Sequence, residues 1–243
     1  MSMNIPYSRR GVLSLLAAGA ASTLAGCASS SPSPYGGRII SATPVAFAPP
    51  TVSPTGRTPE LDAMYGQIVD GDFVIPAIPY WNINPRYYRQ RVLDPTGERP
   101  GTVVVDTASR FLYLVEPDGS AMRYGVGIGR EGFAWEGEGV IQWRQRWPKW
   151  TPPAEMIARQ PELAKYSAEN GGQPPGLNNP LGARALYIFR NGQDTLYRLH
   201  GSPEWSSIGK AVSSGCVRLM NQDIIDLYER VPERARIVVW QKR

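Results

Sequence analysis

The chain holds a single histidine, and sixteen positions beyond it lies one of its two cysteines. His200 begins the run His200-Gly201-Ser202 at the end of a stretch with strand character. Cys216 follows Ser213-Ser214-Gly215 and is followed by Val217-Arg218-Leu219. An imidazole and a thiol are a base and a nucleophile: the ring takes the thiol proton and the sulfur attacks a carbonyl carbon. A Ser-Ser-Gly turn before the cysteine can leave backbone N–H groups exposed. Such groups favour a thiolate and can hold an oxyanion, each donor being worth roughly 2.7–4 kcal/mol in the transition state. Neither residue carries this reading alone, since a buried cysteine is usually an inert small hydrophobe and a lone histidine a satisfied core residue. One histidine and no cysteine pair at ligand spacing argue against zinc, which takes three or four protein ligands.

The elements that must position these residues are mostly strands. Thr102–Asp106 and Phe111–Val115 are β-rich runs around the turn Thr107-Ala108-Ser109-Arg110, which makes a hairpin. Pro117-Asp118-Gly119 turns into a third strand expected over Ala121 to Ile128. Ala185–Phe189 and Thr195–His200 form another pair through Asn191-Gly192, and Arg236–Trp240 is a closing strand. Helical pattern is confined to Ala154–Ala158, Pro161–Tyr166 and Gln222–Arg230, the last with an apolar stripe and Asn221 as a candidate cap. The expected fold class is mainly β, a β-sandwich-like domain with short accessory helices.

The segment around His200 and Cys216 resembles the active-site signature of the L,D-transpeptidases, in which a His-Gly pair precedes Ser-x-Gly-Cys-x-Arg/Asn by about this distance. The resemblance runs from about Arg99 to Trp240. It includes Gly125-Val126-Gly127-Ile128-Gly129, the Trp147–Met156 stretch and Asn179-Pro180-Leu181-Gly182-Ala183-Arg184. Many members have histidine where this chain has Ser214, a departure that removes a secondary group and leaves His200 as the base. The resemblance implies that Cys216 attacks the diaminopimelate–D-alanine bond of a peptidoglycan tetrapeptide stem and that His200 relays the proton. It implies that the Gly201 carbonyl orients the imidazole and that N–H groups of Ser214, Gly215 and Cys216 bind the oxyanion. Arg218 either pairs with a stem carboxylate or holds the loop. Trp143–Trp150 reads as a loop bordering the site, with Trp150 as a substrate contact, or as packed indoles with snorkelling cations. No metal or cofactor is implied, and carbapenems are the implied inhibitor class. The acyl acceptor is left open: a second stem, an envelope protein, or water in an L,D-carboxypeptidase. A non-catalytic peptidoglycan-binding lipoprotein is the remaining alternative.

Residues 1–26 read as a lipoprotein export signal: Arg9-Arg10 supply positive charge, and Val12–Ala25 is apolar but short for a bilayer span. Leu24-Ala25-Gly26-Cys27 matches a lipobox, which implies lipidation of Cys27 and a membrane anchor. The Ser8–Leu13 stretch also resembles a twin-arginine signal, and Ala28 after the cysteine leans towards the outer membrane. The expected layout is a disordered Ser/Pro-rich tether over 27–59, an arm over 60–98 packed on the domain, and a catalytic domain over 99–243 on the periplasmic side of the envelope. The net charge of +5, two units of it from Arg9 and Arg10, is mild. With an export signal ahead of it, the basic and aromatic interleaving of 143–150 does not read as a nucleic-acid surface.

Overall fold

The computed structural model describes residues 56–129, 136–213 and 215–241. The export signal, Cys27, nearly all of the tether, and Ser214 lie outside the described residues. Helix α1 (Pro59–Met64) opens the described chain, capped by the Thr58 hydroxyl, and is followed by the hairpin β1 (Ile68–Asp70) and β2 (Phe73–Ile75). Strands β3 (Gln90–Leu93), β4 (Val103–Asp106), β5 (Phe111–Val115), β6 (Ser120–Gly125) and β7 (Ile128–Gly129) come next. After β8 (Gly137–Arg146) come α2 (Ala154–Arg159) and a short 3-10 helix (Pro161–Tyr166). The chain closes with β9 (Arg184–Arg190), β10 (Gln193–Ser202), β11 (Ala211–Ser213), β12 (Val217–Met220), α3 (Asn221–Arg230) and β13 (Arg236–Trp240).

Nine strands form one mixed sheet in the order β12-β10-β9-β8-β13-β4-β5-β6-β3. Pairs β10–β12 and β13–β4 are parallel, and the other neighbours are antiparallel. Val103, Leu112 and Tyr124 share one core cluster with Leu199 and Val217, which come from the other end of the strand order. The sheet therefore curls until its halves face each other over a common core, with Ile224, Leu227 and Tyr228 of α3 packed inside. Alternation explains why β4 and β5 read as unbroken apolar runs: Val103, Val105, Leu112 and Leu114 enter that core. Val104, Phe111, Tyr113 and Val115 instead build a second cluster on the other face, against Tyr87 and Val92. The Asn191-Gly192 turn has φ of 51° and 77°, the left-handed pair that a tight hairpin needs.

Four expectations need correction. The third strand stops at Gly125, and Ile128-Gly129 pairs instead with β11 in a separate parallel ribbon. At Gly125 the backbone is in contact with Tyr87, so close that an added Cβ would lie 2.4 Å from the Tyr87 carbonyl oxygen. The run Trp143–Arg146 is the end of β8, not a loop. Its alternation is masked because Trp143 lies outside, stacked on Tyr187 at 4.3 Å, while Arg144 reaches in to the Tyr228 and Val231 carbonyls. Residues 90–93 of the arm are β3, an edge strand of the main sheet. Finally, Asn221 does not cap the last helix: α3 begins at Asn221 itself, behind Met220 at the end of β12.

Candidate active site

The parallel register of β10 and β12 sets Leu199 beside Val217, His200 beside Arg218 and Gly201 beside Leu219. Leu199, Val217 and Leu219 are fully buried in the core. Because side chains alternate along a strand, His200 and Arg198 of β10 and Arg218 of β12 belong to the opposite face, and Cys216, one residue ahead of β12, is close enough to feel the charges of Arg198 and Arg218. Two stretches sixteen positions apart in sequence thus bring the thiol and the imidazole to one ribbon.

His200 is 4% exposed, and its Nδ1 lies 2.6 Å from the Gly201 carbonyl oxygen. A carbonyl can only accept, so Nδ1 carries the proton and Nε2 is left as the basic nitrogen. Burial lowers the imidazole pKa to about 4, against the opposing pull of the Gly201 carbonyl and with added repulsion from Arg218 and Arg198. The ring is therefore neutral at pH 7. Cys216 carries a thiol, partly exposed as a residue, yet burial of its surroundings pushes its pKa up. A backbone hydrogen bond from Arg198 and the charges of Arg198 and Arg218 oppose that rise without reversing it. Gly215, at φ 122°, turns the chain into Cys216, and a Cβ there would meet the Tyr197 ring at 3.5 Å.

Both flanking cations are already paired. Arg218 donates to Glu204 at 2.7 Å, and Arg198 grips Asp194 through two bonds of 2.7 Å while covering the Tyr187 ring. Glu204 and Arg198 carry no signal in the sequence, because their relevance depends on the register. The backbone of Arg218 exchanges two hydrogen bonds with Gly127, tying β12 to the segment before β7. Trp150 belongs to a different element. Its backbone pairs with Gln173, closing the base of the excursion between β8 and β9. The far end of that excursion does reach the imidazole, through the Pro180 carbonyl. Among the described residues there is no group of three or more His, Cys, Asp or Glu able to hold a metal ion.

Residues 100–239 match the family model of the L,D-transpeptidase catalytic domain, YkuD. Two curated Escherichia coli K12 proteins, the probable L,D-transpeptidases ErfK/SrfK and YbiS, are each 33% identical to the chain. Their alignments cover 62% and 61% of it respectively and 47% of each relative. The chain thus spans about half the length of the curated relatives it matches. Among solved structures, one from Brucella melitensis named a probable carnitine operon oxidoreductase is 41% identical. The match covers 63% of this chain and 94% of that one, with a TM-score of 0.45. An L,D-transpeptidase from Mycobacterium smegmatis is 17% identical, covers 58% of each chain and has a TM-score of 0.42. The match to the family model covers more than half of the chain. The chain belongs to the family of the L,D-transpeptidase catalytic domain.

Proposed function

We propose that this protein is a peptidoglycan L,D-transpeptidase that links one diaminopimelate residue to another. The observation that supports the reading is the β10–β12 register, which sets a neutral, tautomer-fixed imidazole beside the strand that Cys216 leads into, within a domain of this family. Cys216 Sγ attacks the carbonyl between diaminopimelate and the terminal D-alanine. The sulfur–carbon bond forms, the carbon–nitrogen bond breaks, and His200 Nε2 passes the thiol proton to the departing amine. An acceptor amine then attacks the thioester, gives its proton back through His200, and restores the thiol. N–H groups of Ser214, Gly215 and Cys216 face the developing oxyanion. Arg218, released from Glu204, pairs with a stem carboxylate, and Trp150 borders the donor stem.

The same proposal places the domain at 99–243 behind an arm at 60–98, a tether at 27–59 and an export signal at 1–26. Cys27 carries the lipid on the periplasmic side of the envelope, in the outer membrane. Among the described residues no helix is long and apolar enough to cross a membrane. An envelope protein is an alternative acyl acceptor on the same chemistry.

Incubation of the purified protein with tetrapeptide-bearing peptidoglycan, followed by mass spectrometry of the muropeptides, tests the reaction. Free D-alanine and diaminopimelate–diaminopimelate dimers are expected, with both lost in Cys216→Ala. A carbapenem should add its mass to Cys216 in the intact protein. No D-alanine release from a folded protein, or an adduct on any other residue, would overturn the assignment.

A further inference from the structure

The proton on His200 Nδ1 is held by the Gly201 carbonyl, so whatever fixes Gly201 helps to fix the base. The residue in contact with Gly201 is Asn221. It is the first residue of α3 and 6% exposed, yet it makes no cap for its own helix. Its Oδ1 instead accepts from the Ala183 N–H at 3.0 Å, across 38 positions of chain. A Cβ at Gly201 would lie 2.3 Å from that oxygen and 2.9 Å from Ile224 Cγ2. A Cβ at Gly182, where φ is 62°, would also lie 2.3 Å from Asn221 Oδ1 and 2.6 Å from the Gly201 carbonyl carbon. Two glycines are thus required on either side of one amide, and both backbones close on it.

The segment fastened in this way belongs to the site. Pro180, three residues before Ala183, turns its carbonyl towards the imidazole. Asn179, 1% exposed, anchors the other end by donating to the Pro148, Gln173 and Pro174 carbonyls and accepting from the Leu181 N–H. A helix start, a strand end and a loop therefore meet at one side chain, and the two carbonyls that act on the imidazole, those of Gly201 and Pro180, come from the backbones it joins.

We infer that Asn221 is the positioning residue of this site, locking the 179–183 segment against Gly201 so that His200 is held as the Nδ1–H tautomer with Nε2 free. This rests on the reading of His200 as the base. Replacing the amide leaves the buried Ala183 N–H without an acceptor and opens space beside Gly201. The carbonyl that holds the imidazole proton is then free to rotate.

His200 is the only histidine in the chain, so isotope labelling of histidine gives one pair of ring-nitrogen resonances to follow in the full-length protein. The wild type should show a protonated Nδ1 and an unprotonated Nε2. Asn221→Ala should shift both towards a tautomer mixture and lower kcat for D-alanine release tenfold or more, with KM changing less than twofold. Asn221→Asp keeps an acceptor oxygen and should restore both readouts. If Asn221→Ala does not fold, Asn221→Ser serves in its place, since a hydroxyl falls short of the Ala183 N–H. Unchanged ring resonances in the folded Ala or Ser variant, or a wild type protonated on Nε2, would overturn the inference. Ring resonances are read without turnover. Failure of D-alanine release in the wild type would therefore defeat the transpeptidase reading and leave this result standing.

Discussion

At the scale of residues, the pair at the centre is a neutral one. Residue types and the exposed N–H groups expected of the Ser-Ser-Gly turn suggest a thiolate, and burial pushes the other way. Strand β12 intervenes before α3, so that helix does not start at the sulfur, and burial raises the thiol while it lowers the imidazole to about 4. The cations that could compensate are partly neutralised, Arg198 by Asp194 and Arg218 by Glu204. On the proposed mechanism, proton transfer accompanies attack instead of preceding it, and the imidazole is neutral and able to take a proton at any pH well above 4. The rate of Cys216 alkylation by iodoacetamide should rise through the roughly 8.5 of a free thiol and inflect above it. His200→Ala should leave that inflection nearly in place while abolishing D-alanine release. An inflection below 8, lost with His200, would indicate a preformed thiolate–imidazolium pair. The proposed pair, His200 and Cys216, can be picked out in the sequence because spacing and flanking glycines mark them. Arg198, Glu204 and Asn221 cannot, since their roles come from strand register and from contacts up to 38 positions away.

At the scale of elements, legibility followed burial symmetry. Strands β4 and β5 have both faces covered, and β9–β10 is announced by its Asn-Gly turn, so local chemistry and fold agree. Strand β8 was missed because its pattern is one of stacked indole and inward-reaching arginine, not of apolar alternation. What joins the first hairpin to the sheet was equally invisible. Arg184 of β9 is 1% exposed and makes two bonds of 2.6 and 2.9 Å to Asp70 of β1, which also accepts from the Trp147 indole at 2.8 Å. The Arg184 guanidinium holds the Asp70 carboxyl below the usual carboxylate range. Removing one partner of such a pair leaves a charge buried without compensation, which typically costs about 3–5 kcal/mol. Because Asp70 is partly open to water, Asp70→Ala should lose about 3 kcal/mol in urea denaturation. Loss of less than 1 kcal/mol would show that water replaces the carboxylate at little cost.

At the scale of the molecule, the segment before the catalytic domain and the domain itself share one interior. Leu61, Tyr65, Tyr80 and Tyr88 pack with Ile208 and Met220, so residues flanking the Cys216 motif are covered from the N-terminal side. Tyr87 also fits against Gly209, where a Cβ would lie 2.3 Å from its ring. The polar seam of this interface runs along α3. Asp223 is fully buried, with both carboxylate oxygens lacking a well-formed hydrogen bond. Arg89 stands 3.7 Å from it and 3.3 Å from Asp226, and the Tyr65 hydroxyl faces it. Asp226 is in turn held by Tyr124 at 2.7 Å and Arg230 at 2.8 Å. Burial raises Asp223 to about 7, with Arg89 opposing and Asp226 adding to the rise. An acid whose pKa is higher folded than unfolded binds its proton preferentially in the native state. Its contribution is therefore most favourable below about 4 and declines as pH climbs through about 7, by at most about 4 kcal/mol. Asp223→Asn, which keeps the shape and removes the charge, should be more stable than the wild type at pH 8 and similar to it at pH 4. Thermal unfolding of both proteins across that range measures the difference. If the two curves run parallel from pH 4 to 8, Asp223 stays ionised in the fold, paired with Arg89, and the seam is a salt bridge without a proton.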